Sequence, residues 1–223
     1  MDTLVIYCHP CQTSHCRRIL DALAEALDAS GADYEVVDLY AEGFEPRLSP
    51  GEYEMIARKN GEQGQESDIQ KLQEKVSAAG TLVFIYPVWW YSVPAVLKGF
   101  LDRVFTSGFA YRFLPANAFV LFVGSLLSHV PGVRYLLQTR AAEGLLKDKR
   151  AFIFRSYGGP PMGQRIFGNT VSALENSVLR FCGLTDITIH ELHNTATAAY
   201  TQQYEDRYME QVRKLASQRT HRL

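Results

Sequence analysis

The sequence predicts an α/β fold of three layers, a parallel β-sheet with helices on both faces. Two observations predict it: five short runs rich in β-branched and aromatic residues, and segments of helical periodicity lying between them. The 223 residues suffice for one sizeable core and demand no second domain, so residues 1–223 are read as a single domain.

The runs are Leu4–Tyr7, Tyr34–Leu39, Thr81–Tyr86, Ala151–Phe154 and Ile187–Ile189, the lengths of strands covered on both sides. Ile19, Leu23 and Leu27 make the apolar stripe of a first helix, and Ile69, Leu72, Val76 and Ala79 that of a second. Ser67 and Gln70 stand at capping-box spacing and fix the start of the latter. Ser92 as N-cap and Pro94 in the first turn announce a third helix through Val96, Leu97, Phe100, Leu101 and Val104, with Gly108 beyond its end. A fourth carries Val171, Leu174, Val178 and Cys182 with Gly183 as its stop, and the last carries Tyr204, Tyr208, Val212 and Leu215. Two segments interrupt the alternation. The polar stretch 41–66 reads as a surface loop with a short helix around Glu52–Lys59, and 116–140 is an apolar insertion.

Composition excludes several classes. Apolar residues are 47% and charged residues 21%, ordinary globular usage. The net charge is −1 and no run of Lys or Arg exceeds two, so no nucleic-acid partner is expected. Three of the four cysteines, Cys8, Cys11 and Cys16, crowd the start and cannot staple distant loops, which fits a reducing compartment. With no basic leader, the chain is expected in the cytoplasm. His129, Pro131 and Arg134 interrupt the insertion before a membrane span can accumulate, leaving a buried element or an exposed apolar surface as its two readings.

In such a sheet ligands bind at the carboxyl ends of the strands, so the loops after the first, third and fourth runs are the candidate site. The first loop, His9-Pro10-Cys11-Gln12-Thr13-Ser14-His15, opens a helix whose free N–H groups favour phosphate, although a plain cap at Thr13 or Ser14 explains the same residues. Cys8, His9, Cys11, His15 and Cys16 are zinc-type ligands, but a strand end running into a helix spreads them apart, and no metal is expected. The second loop, Tyr86 to Pro94, holds Trp89, Trp90 and Tyr91 after its strand has ended, where aromatics either pack under the loop or wall a flat ligand such as an isoalloxazine. In the third, Ser156-Tyr157-Gly158-Gly159-Pro160-Pro161-Met162-Gly163, the paired glycines let backbone approach a ligand, or simply make a tight turn.

The stretch Pro87-Val88-Trp89-Trp90-Tyr91-Ser92-Val93-Pro94-Ala95-Val96-Leu97-Lys98-Gly99-Phe100-Leu101-Asp102-Arg103-Val104-Phe105 resembles the signature of the NAD(P)H dehydrogenase (quinone) family, a flavodoxin-like group. The likeness continues at Phe109-Ala110-Tyr111, Ser156–Gly159 and Phe181-Cys182-Gly183. It implies a flavodoxin-like three-layer sandwich with a five-stranded parallel sheet in the order 2-1-3-4-5. It also implies a homodimeric flavoenzyme carrying FAD, or alternatively FMN, that takes hydride from NADH or NADPH and reduces a quinone or similar flat acceptor by a ping-pong mechanism. By that resemblance His9, Thr13, Ser14, His15 and Cys16 hold the flavin's phosphates, and its adenylate where FAD is used. Pro87, Val88, Trp89, Trp90 and Tyr91 line the isoalloxazine, and Ser156, Tyr157, Gly158 and Gly159 form the other wall. Trp90, Tyr111, Phe113 and Tyr157 face the substrate, with Tyr111 and Phe113 closing over a partner subunit's flavin.

One departure bears on chemistry. The DT-diaphorase branch of the family carries a Tyr and a His beyond the paired glycines, where this chain has Gln164 and Thr170, so no catalytic acid or base is assigned. The insertion 116–140 follows Tyr111 and Phe113 closely and leaves three roles open: shaping the acceptor pocket, extending a dimer contact, or touching a lipid surface or membrane transporter. The last role motivates a rival reading, a flavin-binding ancillary subunit of a transporter with weak turnover.

Overall fold

The computed structural model describes residues 1–58, 67–114, 142–167 and 172–219, with residues 122, 126 and 127 between them. Five parallel strands form the main sheet: β1 (Thr3–Tyr7), β2 (Tyr34–Asp38), β3 (Thr81–Pro87), β6 (Arg150–Ser156) and β7 (Ile187–Leu192). Their order, β2-β1-β3-β6-β7, is the expected 2-1-3-4-5 once the main-sheet strands are counted along the chain. The short strands β4 (Tyr111–Phe113) and β5 (Ala142–Gly144) pair antiparallel as a separate ribbon. No periodicity announces three-residue strands, so the sequence did not reveal this ribbon. Its register sets Phe113 opposite Ala142, so the insertion leaves and returns at one place. Residues 116–121, 123–125 and 128–140 lie outside the described residues, as do 59–66 of the polar stretch. Among the described residues no helix is long and apolar enough to cross a membrane.

Strand alternation sorts the core into two. Leu4 and Ile6 of β1, with Cys8 just past its end, share a face with Leu82, Phe84 and Tyr86 of β3, and this face packs on α3 (Ser67–Ala78) and α4 (Ala95–Val104). Val5 and Tyr7, Val83 and Ile85, and Phe152 and Phe154 of β6 point the other way. They meet α1 (His15–Ser30) and the last helix, α6 (Gln202–Arg219). Gly31, with φ of 69°, ends α1 in the left-handed conformation that favours glycine.

Helix α2 (Pro50–Arg58) opens on a reciprocal cap: the Ser49 N–H donates to Glu52 Oε2 at 2.7 Å, and the Glu52 N–H to Ser49 Oγ at 3.2 Å. The same carboxylate takes the Arg103 Nε–H at 2.8 Å, a buried ion pair that fastens α2 to α4. Beside it the chain passes so close to Gly99 that a Cβ there would lie 2.3 Å from the Pro46 carbonyl oxygen.

Two expected helix boundaries need correction. Helix α4 is capped by Pro94 and not by Ser92, because Ser92 folds back to bridge Trp89. The fourth expected helix is instead a π-helical segment, Leu174–Leu179, after the short α5 (Met162–Phe167). Val171 lies outside the described residues. The wider turn, with the Arg180 N–H donating to the Glu175 carbonyl, turns Glu175 into the interior, and positive-φ Gly183 follows its end.

Candidate functional site at the carboxyl edge of the sheet

The loops after β1, β3 and β6 lie side by side because these strands are neighbours in the sheet. Backbone ties hold them in step. The Cys8 N–H donates to the Ile85 carbonyl at 2.9 Å, and the Val88 N–H to the Ser156 carbonyl at 2.8 Å. A side-chain contact, Cys16 Sγ to Ser156 Oγ at 3.3 Å, joins the first and third loops.

In the first loop Ser14, not Thr13, is the N-cap, its hydroxyl accepting the Arg17 N–H at 3.1 Å. The cap uses one of the orphan donors of the first turn and leaves the others pointing from the helix start. No acidic residue stands in that first turn to oppose the helix dipole, although Asp38 of β2 reaches Gln12 of the same loop at 3.4 Å. His9 Nδ1 accepts the Cys11 N–H at 2.9 Å, which puts the ring proton on the other nitrogen, and burial holds the imidazole below its ordinary pKa. His15 turns away from the loop. Its Nδ1 lies 3.1 Å from both Glu205 Oε1 and the Tyr200 hydroxyl, and Glu205 also pairs with Arg18. Cys16 is buried, its thiol pushed up to about 12, so the side chain packs inward. Among the described residues no group of three or more His, Cys, Asp or Glu side chains is placed to hold a metal ion.

The second loop is held open by its backbone. Trp90 and Tyr91 adopt φ of 51° and 56°, a strained region for bulky residues. The consequence is exposure: Trp90 is 97% accessible, a large apolar surface left uncovered at this edge of the sheet. Trp89 folds back toward the first loop, its ring centroid 6.0 Å from that of His9. Tyr91 reaches the third loop, where a Cβ on Gly163 would come within 3.0 Å of its hydroxyl.

The third loop is braced from behind by the chain that follows β7. The N–H groups of Asn194, Thr195 and Ala196 donate to the carbonyls of Gly159, Tyr157 and Gly158 at 2.9, 3.0 and 3.1 Å. With these carbonyls engaged, the Gly158 and Gly159 N–H groups make no hydrogen bond among the described residues, and the same holds for Trp90. A Cβ on Gly159 would meet nothing within 4 Å, so the space over this glycine is open. Free amides on one wall, an exposed indole on the other and an anion-favouring helix start fit the edge, face and phosphate of a flavin.

Beneath the third loop lies a charged cluster the sequence did not reveal. The Tyr157 hydroxyl donates to Glu191 Oε1 at 3.0 Å, and its ring stacks on His193 at 4.6 Å. His193 Nε2 stands 3.1 Å from Glu191 Oε2, and Arg155 donates to Glu191 at 2.8 Å while its other arm faces Glu175 at 3.3 Å. Burial raises the Tyr157 phenol far above its ordinary range, with the Glu191 carboxylate adding to the shift, so it stays protonated as a donor. Arg155 and Glu191 meet because they stand in register on adjacent strands, a pairing that no local pattern announces.

Of the expected gate, Tyr111 is half-buried with its ring 4.9 Å from Phe181, whereas Phe113 is 57% exposed. Gln164 lies in α5, and Thr170 lies outside the described residues.

The architecture and the three-loop edge define a class, the flavodoxin-like proteins. A family model described as a flavodoxin-like fold matches residues 1–216, and the chain belongs to that family. Among curated relatives, NAD(P)H dehydrogenase [quinone] 1 of Cavia porcellus is 37% identical over 123 residues, 49% of this chain and 45% of that enzyme. The match thus spans less than half of the relative's length. Among solved structures, the NAD(P)H:quinone oxidoreductase of Methanothermobacter marburgensis superposes with a TM-score of 0.74 at 24% identity, covering 97% of this chain and 96% of that one. An FMN-dependent NADH-azoreductase of Bacillus anthracis, solved in complex with FMN, gives 0.70 at 18% identity over 98% and 99%. These two likenesses bear on the fold.

Proposed function

We propose that the chain is a flavin-dependent NAD(P)H oxidoreductase that passes two electrons to a quinone or similar flat acceptor, with one domain per subunit and two subunits per molecule. One observation carries this reading: the Trp90 turn and the twin-glycine turn leave adjacent strands, one offering an uncovered apolar face and the other unused amides. A flavin held by these loops would supply two-electron hydride chemistry between NADH or NADPH and the acceptor.

The residues of this chain bind and orient. The amides of Trp90, Gly158 and Gly159 stabilise negative charge along the polar rim of the ring system. Thr13, Ser14 and the start of α1 take the phosphate, with His9 beside them. Trp90 covers one face, and Pro87, Val88 and Tyr91 fix its loop. Tyr157 turns its hydroxyl inward to Glu191, so it supports the wall and holds its proton within the cluster. FAD is the favoured cofactor, because the first loop can be followed residue by residue, with FMN as the alternative. The exposed Phe113 side chain suits closure over the site of a second subunit.

Donor and acceptor share one pocket in turn, which predicts parallel lines in initial-rate plots. Heat release of the cofactor from purified protein, followed by chromatography against FAD and FMN, tests the reading. Protein that is colourless and takes up neither flavin overturns it.

A further inference from the structure

The opposite edge of the sheet holds a cavity of about 340 Å³, within the range of small-molecule sites. Its floor is the face of the sheet that α1 and α6 cover, and its walls are the distal parts of those two helices. Leu23 and Leu27 come from α1, and Leu215 and Ala216 from α6. The register of the strands lays the floor out in rows. Thr3, Thr81 and Arg150 stand side by side as the first row, and Val5, Val83 and Phe152 form the next. Beyond these, Phe154 follows Phe152 with its ring near-parallel, 9° between planes.

The interior is therefore apolar and one end is polar. The hydroxyls of Thr3 and Thr81 and the guanidinium of Arg150 make no hydrogen bond or ion pair among the described residues. Arginine with two hydroxyls beside it matches a planar carboxylate, which it can grip through two parallel N–H donors. Asp2 and Asp148 also reach the rim, but both are exposed, and Asp2 turns an oxygen to the Asp33 N–H at 3.4 Å. Arg150, as the first residue of β6, is half-buried and rooted in the floor.

We propose that this cavity binds an amphipathic carboxylate, its aliphatic or aromatic body on Val83, Phe152 and Phe154 and its acid on Arg150. The site is separate from the carboxyl edge: the six steps of β3 from Thr81 to Pro87 put about 20 Å between them. It stands whether or not the flavin reading does.

The test is calorimetric titration of the purified protein with decanoate and with 1-decanol, repeated on two variants. The expected result is one decanoate per chain without change in the flavin absorbance. Arg150→Leu should weaken decanoate at least about tenfold and leave 1-decanol within about twofold, since only the charged grip is lost. Ala216→Trp should fill the cavity and abolish both, with flavin content as in wild type. Should that variant fail to fold, Arg150→Leu alone still decides. No binding of decanoate up to millimolar concentration, equal loss of acid and alcohol in Arg150→Leu, or competition with the quinone acceptor would each overturn the assignment.

Discussion

The two edges of one sheet differ in what their backbone offers. At the carboxyl edge each strand runs into the start of a helix, so free N–H groups accumulate and an anion can be held without any basic side chain. At the amino edge helices end, and free carbonyls accumulate instead. Lys149 shows the consequence, its ammonium donating to the Ser77 and Ala79 carbonyls at 2.8 and 2.6 Å where α3 ends. An anion on that side needs a side chain such as Arg150. The polarity of a parallel sheet thus separates the proposed backbone site, built of glycine and capping residues, from the proposed side-chain site.

The sharpest way to break this comparison is to add bulk where only backbone should face the ligand. The space above Gly159 is empty, so Gly159→Val should leave the fold untouched and fill the cradle. Flavin affinity should fall at least about 100-fold while the far-ultraviolet circular dichroism is unchanged. Full occupancy in that variant would mean the third loop does not touch the cofactor.

A second effect, of similar size but on stability, separates the braced wall from the solvated surface. Glu191→Gln removes the charge of one of the two carboxylates paired with Arg155, 97% buried, and should destabilise the fold by about 2–3 kcal/mol in urea titrations. The exposed pair Arg213–Glu25 should yield less than about 1 kcal/mol to the corresponding Glu25→Gln. Equal losses at both sites would show that the cluster under Tyr157 is not a brace.

Trp90→Ala should come next, with stability unchanged because the indole is bare in the fold. Flavin affinity should drop about tenfold, the worth of one aromatic face. Fluorescence titration of the apoprotein reads the difference directly.

How much of this was legible beforehand follows the same division. The five strands and their neighbouring helices could be read because alternation and helical stripes are local patterns, as in Leu4–Tyr7 or Ile19, Leu23 and Leu27. The proposed backbone site was marked by residue types tied to backbone behaviour: Thr13 or Ser14 as a cap, of which Ser14 is the one used, and Gly158 and Gly159 as a turn. Ser92 misled for the same reason, since a residue suited to capping was taken up by the reverse turn around Trp90 and Tyr91. What stayed hidden depends on register between distant segments. Arg155, Glu191 and Glu175 meet only because β6 pairs with β7 and a π-turn rotates Glu175 inward. The polar end of the cavity at the amino edge forms where three first-row residues align across β1, β3 and β6.

The smallest effect tests the first loop, through the cysteines. Cys8 and Cys182 are buried with thiols pushed up to about 12, as is Cys16, so none is a thiolate near neutrality. Cys11 is exposed, and a 3.2 Å contact with the Thr13 hydroxyl draws its thiol below the ordinary value. Iodoacetamide at pH 7.5 should therefore modify one cysteine per chain, and Cys11→Ser should abolish the modification in the mass spectrum. The rate should rise with pH as the thiolate fraction grows, with its midpoint below the ordinary thiol pKa. If the loop holds the flavin's phosphate, added cofactor should slow labelling severalfold by covering Cys11 and by adding negative charge beside a forming thiolate. An unchanged rate in the saturated protein would place the phosphate elsewhere, and would leave the Trp90 and twin-glycine turns as the only parts of the edge in contact with the cofactor.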